Sequence, residues 1–304
     1  MSNSIKIIIC SILVIVVFGM CRQQQASQVK GDDTFVKGKA LFLADESFKP
    51  ILDQEAYVFK ALFTEAKPEF VYKSENEALK LFLEDSIRVA ILSRELNPSE
   101  LGILERRGLP PDVNRFAIDA ITLIVNQESA DTTISVKQIK DMLNGKTMID
   151  KNIVFDNPNS SLVRYLKDFS GNKELKEKNI YALQSNKDVI KYVSEHPNSI
   201  GIVGFSWLDD PDKDYADAVS KVKIVGVKDE SNDKSPTEYF KPNQTTLALK
   251  QYPLVRGLYI LNSTGKMGLA AGFAAFIKSD RGQRIILKSG LLPDSIPQRE
   301  MILK

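Results

Sequence analysis

The chain predicts an α/β fold, and three observations carry the prediction. Short apolar runs suited to buried strands alternate with amphipathic helical stretches, polar turns rich in Asp, Asn, Ser and Pro separate them, and the alternation persists from residue 39 to residue 290. Such alternation favours mostly parallel sheets, because a crossover helix is what returns the chain to the start of the next parallel strand. With 304 residues and 43% hydrophobic content, there is enough chain for two lobes with cores of their own.

Taken in order, Lys39-Ala-Leu-Phe-Leu-Ala44 reads as the first strand and Asp45-Glu-Ser-Phe-Lys-Pro50 as a turn. Ser47 is placed to cap a helix carrying Leu52, Phe59, Leu62 and Phe63, with Pro50 tolerated in its first turn. Phe70-Val-Tyr72 gives a strand, Ser74 a cap and Ala78 to Phe82 a helix; Arg88-Val-Ala-Ile-Leu92 is the next strand, leading into Ser93-Arg94. Asn97-Pro-Ser-Glu100 and Ser135-Val-Lys-Gln138 have the spacing of capping boxes. Phe116 to Val125 and Leu254 to Leu261 are long strand patterns, and Lys221 to Val227 a shorter one. His196-Pro197 stops a helix around Val189 to Val193 before the strand Ile200 to Phe205. Near the end, a helix through Phe273 to Ile277 is followed by one that starts at an Asp280 cap and closes at Gly290.

The most informative stretch is Asn152 to Leu166. Ile153-Val-Phe155 suits a buried strand, Asp156-Asn-Pro-Asn159 is turn chemistry, and Leu162, Val163, Leu166 and Phe169 recur at helical spacing up to a Gly171 cap. The start of that helix offers unpaired N–H groups, with the side chains of Asn159, Ser160 and Ser161 beside them. That is either a seat for an anion or an ordinary capped helix start. Ligands of α/β sheets bind beyond the carboxyl ends of the strands. Three polar turns of that kind, at residues 45–48, 93–94 and 156–161, come from well-separated parts of the chain.

Composition excludes several classes. With 41 basic and 39 acidic residues the net charge is +2, so there is no electrostatic case for nucleic acid. His196 is the only histidine and reads as punctuation, which argues against a Ser-His-Asp triad and leaves only carboxylates for a metal. A hydrolase built on Asp45, Glu46 or Asp156 needs only paired carboxylates, which 39 acidic residues supply by chance. No enzyme activity, cofactor or metal is expected.

Lys6 is followed by an uncharged run, Ile7 to Met20, that is short for a membrane span and suits a secretory signal. Cys21, followed by Arg22-Gln-Gln-Gln25, resembles the lipid-attachment cysteine of bacterial lipoproteins, although Phe18-Gly19-Met20 is an imperfect version of the box before it. The other cysteine, Cys10, lies inside the leader, so a mature chain would carry no disulfide. Residues 1–20 are read as the signal and 21–36 as a polar tether.

Over residues 37 to 297 the chain resembles the phosphate-binding proteins of bacterial ABC transporters, in the periplasmic-binding-protein superfamily. The resemblance is carried by Glu46-Ser-Phe-Lys-Pro50, Ser93-Arg-Glu-Leu96, Ala117-Ile-Asp-Ala-Ile121 with Ile124-Val-Asn126, and Val136-Lys-Gln-Ile-Lys-Asp141 with Asn144-Gly-Lys146. Ser199-Ile-Gly-Ile-Val-Gly204, Tyr252-Pro-Leu-Val255, and Gly282-Gln-Arg284 with Gly290-Leu-Leu-Pro293 complete it. It implies two α/β lobes, 37–118 with 256–304 and 119–255, joined by two crossover strands around a ligand cleft. It also implies a monomer on the periplasmic side of the envelope that captures phosphate or a similar small oxyanion for an ABC permease. The alternative is a degenerate copy of the fold, an envelope interaction protein without a small ligand.

On that template Ser47, Phe48, Ser93, Arg94, Asn159, Ser160 and Ser161 are the ligand-binding candidates, and Asp45, Glu46 and Asp119 are candidate proton acceptors or gates. The family's usual arginine falls on Phe155 here, and its small-residue turns read Asp45-Glu46-Ser47 and Ser74-Glu75. A carboxylate about 4 Å from a bound anion costs on the order of 4 kcal/mol at an effective dielectric of 20. Either Asp45 or Glu46 accepts a proton from the ligand, or these side chains point away, or the ligand is not phosphate. Arg94 contacts the anion or pairs with Glu95 or Glu100, Arg164 reaches the ligand or holds Asp156, and Trp207 packs near a rim.

Overall fold

The computed structural model describes residues 33–146 and 151–295. The expected signal, Cys21 and the tether as far as residue 32 lie outside the described residues. No helix among the described residues is long and apolar enough to cross a membrane.

The strands are β1 (Gly38–Asp45), β2 (Ala66–Lys73), β3 (Val89–Leu92), β4 (Asp112–Asn126), β5 (Thr133–Ser135), β6 (Asn152–Phe155), β7 (Ile180–Ala182), β8 (Ser199–Gly204), β9 (Val222–Ile224), β10 (Gly226–Lys228), β11 (Val255–Asn262) and β12 (Leu292–Pro293). The helices are α1 (Lys49–Leu62), α2 (Glu75–Leu83), α3 (Pro98–Arg106), α4 (Val136–Leu143), α5 (Ser161–Ser170), α6 (Asn186–Glu195), α7 (Ser206–Asp209), α8 (Ala216–Ser220), α9 (Gln244–Ala248), α10 (Leu269–Lys278) and α11 (Asp280–Lys288).

The main sheet runs β2-β1-β3-β11-β4-β8-β6-β7, with β9 and β12 also paired to β4. Its two halves share β4, whose residues 112–120 pair with β11 while residues 121–125 pair with β8. The α/β reading holds, but the sheet is mixed. Parallel pairs β1/β2, β1/β3, β6/β7 and β6/β8 flank β4 and β11, which run antiparallel to their neighbours. The strands nearest the centre of each half are buried on both faces, as Val89-Ala-Ile-Leu92 shows, and therefore read as unbroken apolar runs. Between β1, β2, α1 and α10, Phe42 stacks on Phe70 and tilts against Phe273, each at 5.0 Å between ring centroids. Aromatic pairs of this kind add about 0.5–1.5 kcal/mol beyond the area they bury.

Local signals translate well where both partners are close in sequence. Asn97 with Glu100 and Ser135 with Gln138 form reciprocal capping boxes, and Gly171 closes α5 in the left-handed conformation at φ 73°. Other expectations are corrected. Ser47 does not cap the helix after β1: Asp45 accepts its N–H at the head of a short 3-10 turn, Glu46–Phe48. Ser279, not Asp280, caps α11 by accepting from the Gly282 N–H. The run 221–227 is broken in two, because Val222–Ile224 pairs with β4 whereas Gly226–Lys228 pairs with β5. The tether ends sooner than residue 36: Thr34 and Lys37 bridge each other, and Phe35 lies against α10. A Cβ on Gly272 would stand 1.9 Å from the Phe35 carbonyl oxygen, so glycine is what lets the two backbones meet.

Candidate functional site

The carboxyl ends of β1 and β6 bring two of the three predicted turns together. Asp45 closes β1 and is 1% exposed; its Oδ1 accepts the Ser47 N–H at 2.8 Å and the Ser47 hydroxyl at 2.5 Å. Its Oδ2 accepts the N–H of Ser161, the first residue of α5, at 2.9 Å. That N–H is one of the donors a helix start leaves without an intrahelical partner. Asp45 therefore points at the start of α5, and the arrangement in which it turns away is not the one observed.

Asp156, at the end of β6, is equally buried. It accepts from the Ser160 hydroxyl at 2.5 Å, from Asn186 Nδ2 at 3.0 Å and, at 3.4 Å, lies opposite the Ser47 hydroxyl that already serves Asp45. Asn186 turns its own Oδ1 to the Gly204 N–H at 3.0 Å, tying α6 to β8. The Trp207 indole N–H donates to the Ser47 carbonyl at 2.9 Å, so this side chain holds the turn as well as packing beside it.

Sequence reasoning missed the principal cation. Arg256, 4% exposed on β11, donates Nη1 to the Ser161 hydroxyl at 2.8 Å, binds Asp119 with Nε and Nη2, and lies 4.9 Å over the Phe48 ring. Its signal was present: a charge inside the apolar strand pattern of residues 254–261 demands a partner as much as Asp119 does inside its own. Phe48 is thus a buried floor for the guanidinium, at 1% exposure.

The third turn joins a second network. Ser93 donates its hydroxyl to Glu75 at 2.9 Å and accepts from Arg164 Nη2 at 2.6 Å, while Arg164 Nε also binds Glu75. Arg164 therefore holds Glu75 and Ser93 in place of the Asp156 contact that the sequence suggested. Of the roles open to Arg94, the structure shows the pair with Glu100: both its terminal nitrogens bind that carboxylate, at 2.7 and 2.8 Å, because the capping box at Asn97 already presents it. Asn159 is exposed and faces Asn76, with its Oδ1 3.5 Å from Asn76 Nδ2. The structure thus gathers Asp45, Ser47, Phe48, Ser160, Ser161 and Asp119 around Arg256, and leaves Ser93, Arg94 and Asn159 outside that cluster.

Burial dominates the electrostatics. It pushes the Asp156 carboxyl up to about 8, with the neighbouring Asp45 charge adding to the effect, and raises Asp45 against the pull of the Ser47 hydroxyl. Glu46, 3.4 Å from Asn186 Nδ2, is lifted to about 7 by the same burial. Asp119 is also raised by desolvation, with Arg256 opposing. A cavity of about 700 Å³ adjoins the cluster through Glu46 and Trp207 and is lined further by Lys49, Asp53, Tyr57 and Tyr215. Among the described residues, no group of three or more His, Cys, Asp or Glu side chains is arranged to hold a metal ion.

Comparison with known proteins adds the decisive observation: residues 32–281 match the model of the PBP superfamily domain. The chain belongs to the PBP superfamily. PBP-fold structures similar to it include a candidate phosphate ABC transporter substrate-binding protein from Clostridium perfringens solved with bound phosphate, at 20% identity and a TM-score of 0.70 over 85% of this chain and 100% of that one. Another is an ABC-type phosphate transport receptor from Vibrio cholerae, at 18% identity and a TM-score of 0.63, covering 83% of this chain and 99% of that one. At these identities the likeness is one of fold. No curated protein sequence matches the chain.

Proposed function

We propose that this PBP-superfamily protein captures phosphate or a similar small oxyanion and delivers it to an ABC permease. The observation that carries this reading is the meeting, in one buried cluster, of the α5 N-terminus, two serine hydroxyls and the Arg256 guanidinium. A helix N-terminus and a guanidinium are the donors that small oxyanions use, and here the Ser161 N–H already holds a carboxylate, that of Asp45. Among structures of the same fold, one is described as an ABC-type phosphate transport receptor, and another, described as a candidate phosphate ABC transporter substrate-binding protein, holds phosphate.

Residues 37–118 with 256–304 and residues 119–255 act as the two lobes. They close by hinging where β4 changes partner and where the chain enters β11. The protein acts on the periplasmic side, as a monomer, exported by residues 1–20 and held by lipid on Cys21. Its work is binding, with no reaction assigned. Equilibrium dialysis of the chain without residues 1–20 against labelled phosphate and labelled sulfate tests the reading. Saturable binding of at least one anion below millimolar is expected, and its absence for both removes the reading.

A further inference from the structure

We propose that the Asp45 carboxylate is an internal occupant of the oxyanion seat, and that a small oxyanion binds by displacing it. The inference rests on the function proposed above and specifies how the seat of that function is controlled.

The geometry is that of a bound ligand. Both Asp45 oxygens are engaged, by three donors from two segments: the N–H and hydroxyl of Ser47, and the N–H of Ser161, which is 116 residues from Asp45. The Ser47 contacts alone would be a local turn cap of the ordinary kind. The Ser161 contact is different, because β1 belongs to one half of the sheet and α5 follows β6 in the other. Asp45 thus bridges the two halves through a helix N-terminus, which is the task a captured anion would perform. Arg256 backs the seat through the Ser161 hydroxyl and is itself neutralised by Asp119, so it supplies directed donors without leaving a surplus positive charge.

The acceptors crowd the donors. The Ser47 hydroxyl oxygen lies 2.5 Å from Asp45 Oδ1 and 3.4 Å from Asp156 Oδ2, and its single proton can serve only one of them. An oxyanion entering with Asp45 still in place would find the Ser47 and Ser161 N–H groups taken and a carboxylate beside it. Removing the carboxylate returns both N–H groups. The observed affinity is then the intrinsic affinity reduced by the fraction of molecules whose seat is vacant.

Isothermal titration of inorganic phosphate and of sulfate into wild type, Asp45→Ala and Asp45→Asn, each lacking residues 1–20, tests this. Asp45→Ala is expected to bind at least one anion at least tenfold tighter than wild type, with Asp45→Asn also tighter. Wild-type binding that neither substitution strengthens overturns this inference and leaves the transport function standing. Binding by a variant with none by wild type supports the inference and removes the transport function as proposed. No binding by any of the three overturns both. If the variants do not fold, carbon and nitrogen NMR of wild type decides: phosphate must move the Asp45 carboxyl carbon together with the Ser47 and Ser161 amides. A phosphate-bound protein whose Asp45 signal stays fixed overturns the inference.

Discussion

Asp119 and Arg256 stand opposite each other in the antiparallel register of β4 and β11, and Asp119 Oδ2 accepts from Nε at 3.0 Å and from Nη2 at 2.8 Å. The pair lies two residues before β4 turns from β11 to β8, so it is wired at once to the crossing and, through Arg256 Nη1, to the start of α5.

Because both side chains are about 1% exposed, removing one strands the other. Arg256→Leu is expected to cost about 3–5 kcal/mol of stability, the range for breaking a buried pair. Asp119→Leu combined with Arg256→Met should recover most of that loss, since well-packed apolar replacements of buried pairs are close to neutral. Urea midpoints at constant m-value check this. If the double variant is as unstable as the single, the pair contributes more than mutual neutralisation.

Glu55, on the inner face of α1, has both carboxyl oxygens buried with no hydrogen-bond partner, and burial pushes its pKa from 4.5 to about 9. A pKa raised on folding means the folded state holds the proton more tightly. The stability this confers is whole below about pH 4.5 and is lost as pH rises through about 9. Glu55→Met should raise Tm relative to wild type by an amount that grows steadily from pH 5 to pH 9. A constant difference across that range would show that Glu55 is already ionised when folded.

Asp156, lifted to about 8, follows the same sign. Asp156→Asn imitates the protonated acid, its amide able to donate to the Ser160 hydroxyl that now lies 2.5 Å away. Thermal melts should show the variant within about 1 kcal/mol of wild type at pH 6, the scale of one net hydrogen bond, and more stable than wild type at pH 9.5. A variant destabilised equally at both pH values would refute a neutral Asp156.

Gly272→Ala should drive Phe35 off α10, because the added methyl would stand 1.9 Å from a backbone carbonyl rather than from a side chain that could swing away. Overpacking of this kind costs about 1–3 kcal/mol. Limited proteolysis should then cut near residues 34–37 sooner than in wild type, with the remaining chain intact.

How much of this was readable beforehand depended on how far apart the partners lie. The boxes at Asn97 and Ser135 close within three residues, and both were legible from local spacing alone. Glu100 then became Arg94's partner for a local reason, since its place in the box fixes where its carboxylate points. Asp119 was legible as a charge in need of a partner, but Arg256 is 137 residues away and only strand register matches them. The direction of Asp45 was likewise beyond sequence, because a turn-forming aspartate advertises an acceptor and says nothing of a helix start 116 residues later. The break at Val225 follows the same rule: an apolar run is local, while the strand it joins is not.

The chain contains one tryptophan, and it is Trp207, 3% exposed with its indole N–H bound to the Ser47 carbonyl. That places the chain's single indole against the turn that follows Asp45, free of background from any other indole. Parting of the two halves would wet the ring and shift its emission to the red, so the unlabelled protein would report the lobe closure proposed above by its own fluorescence.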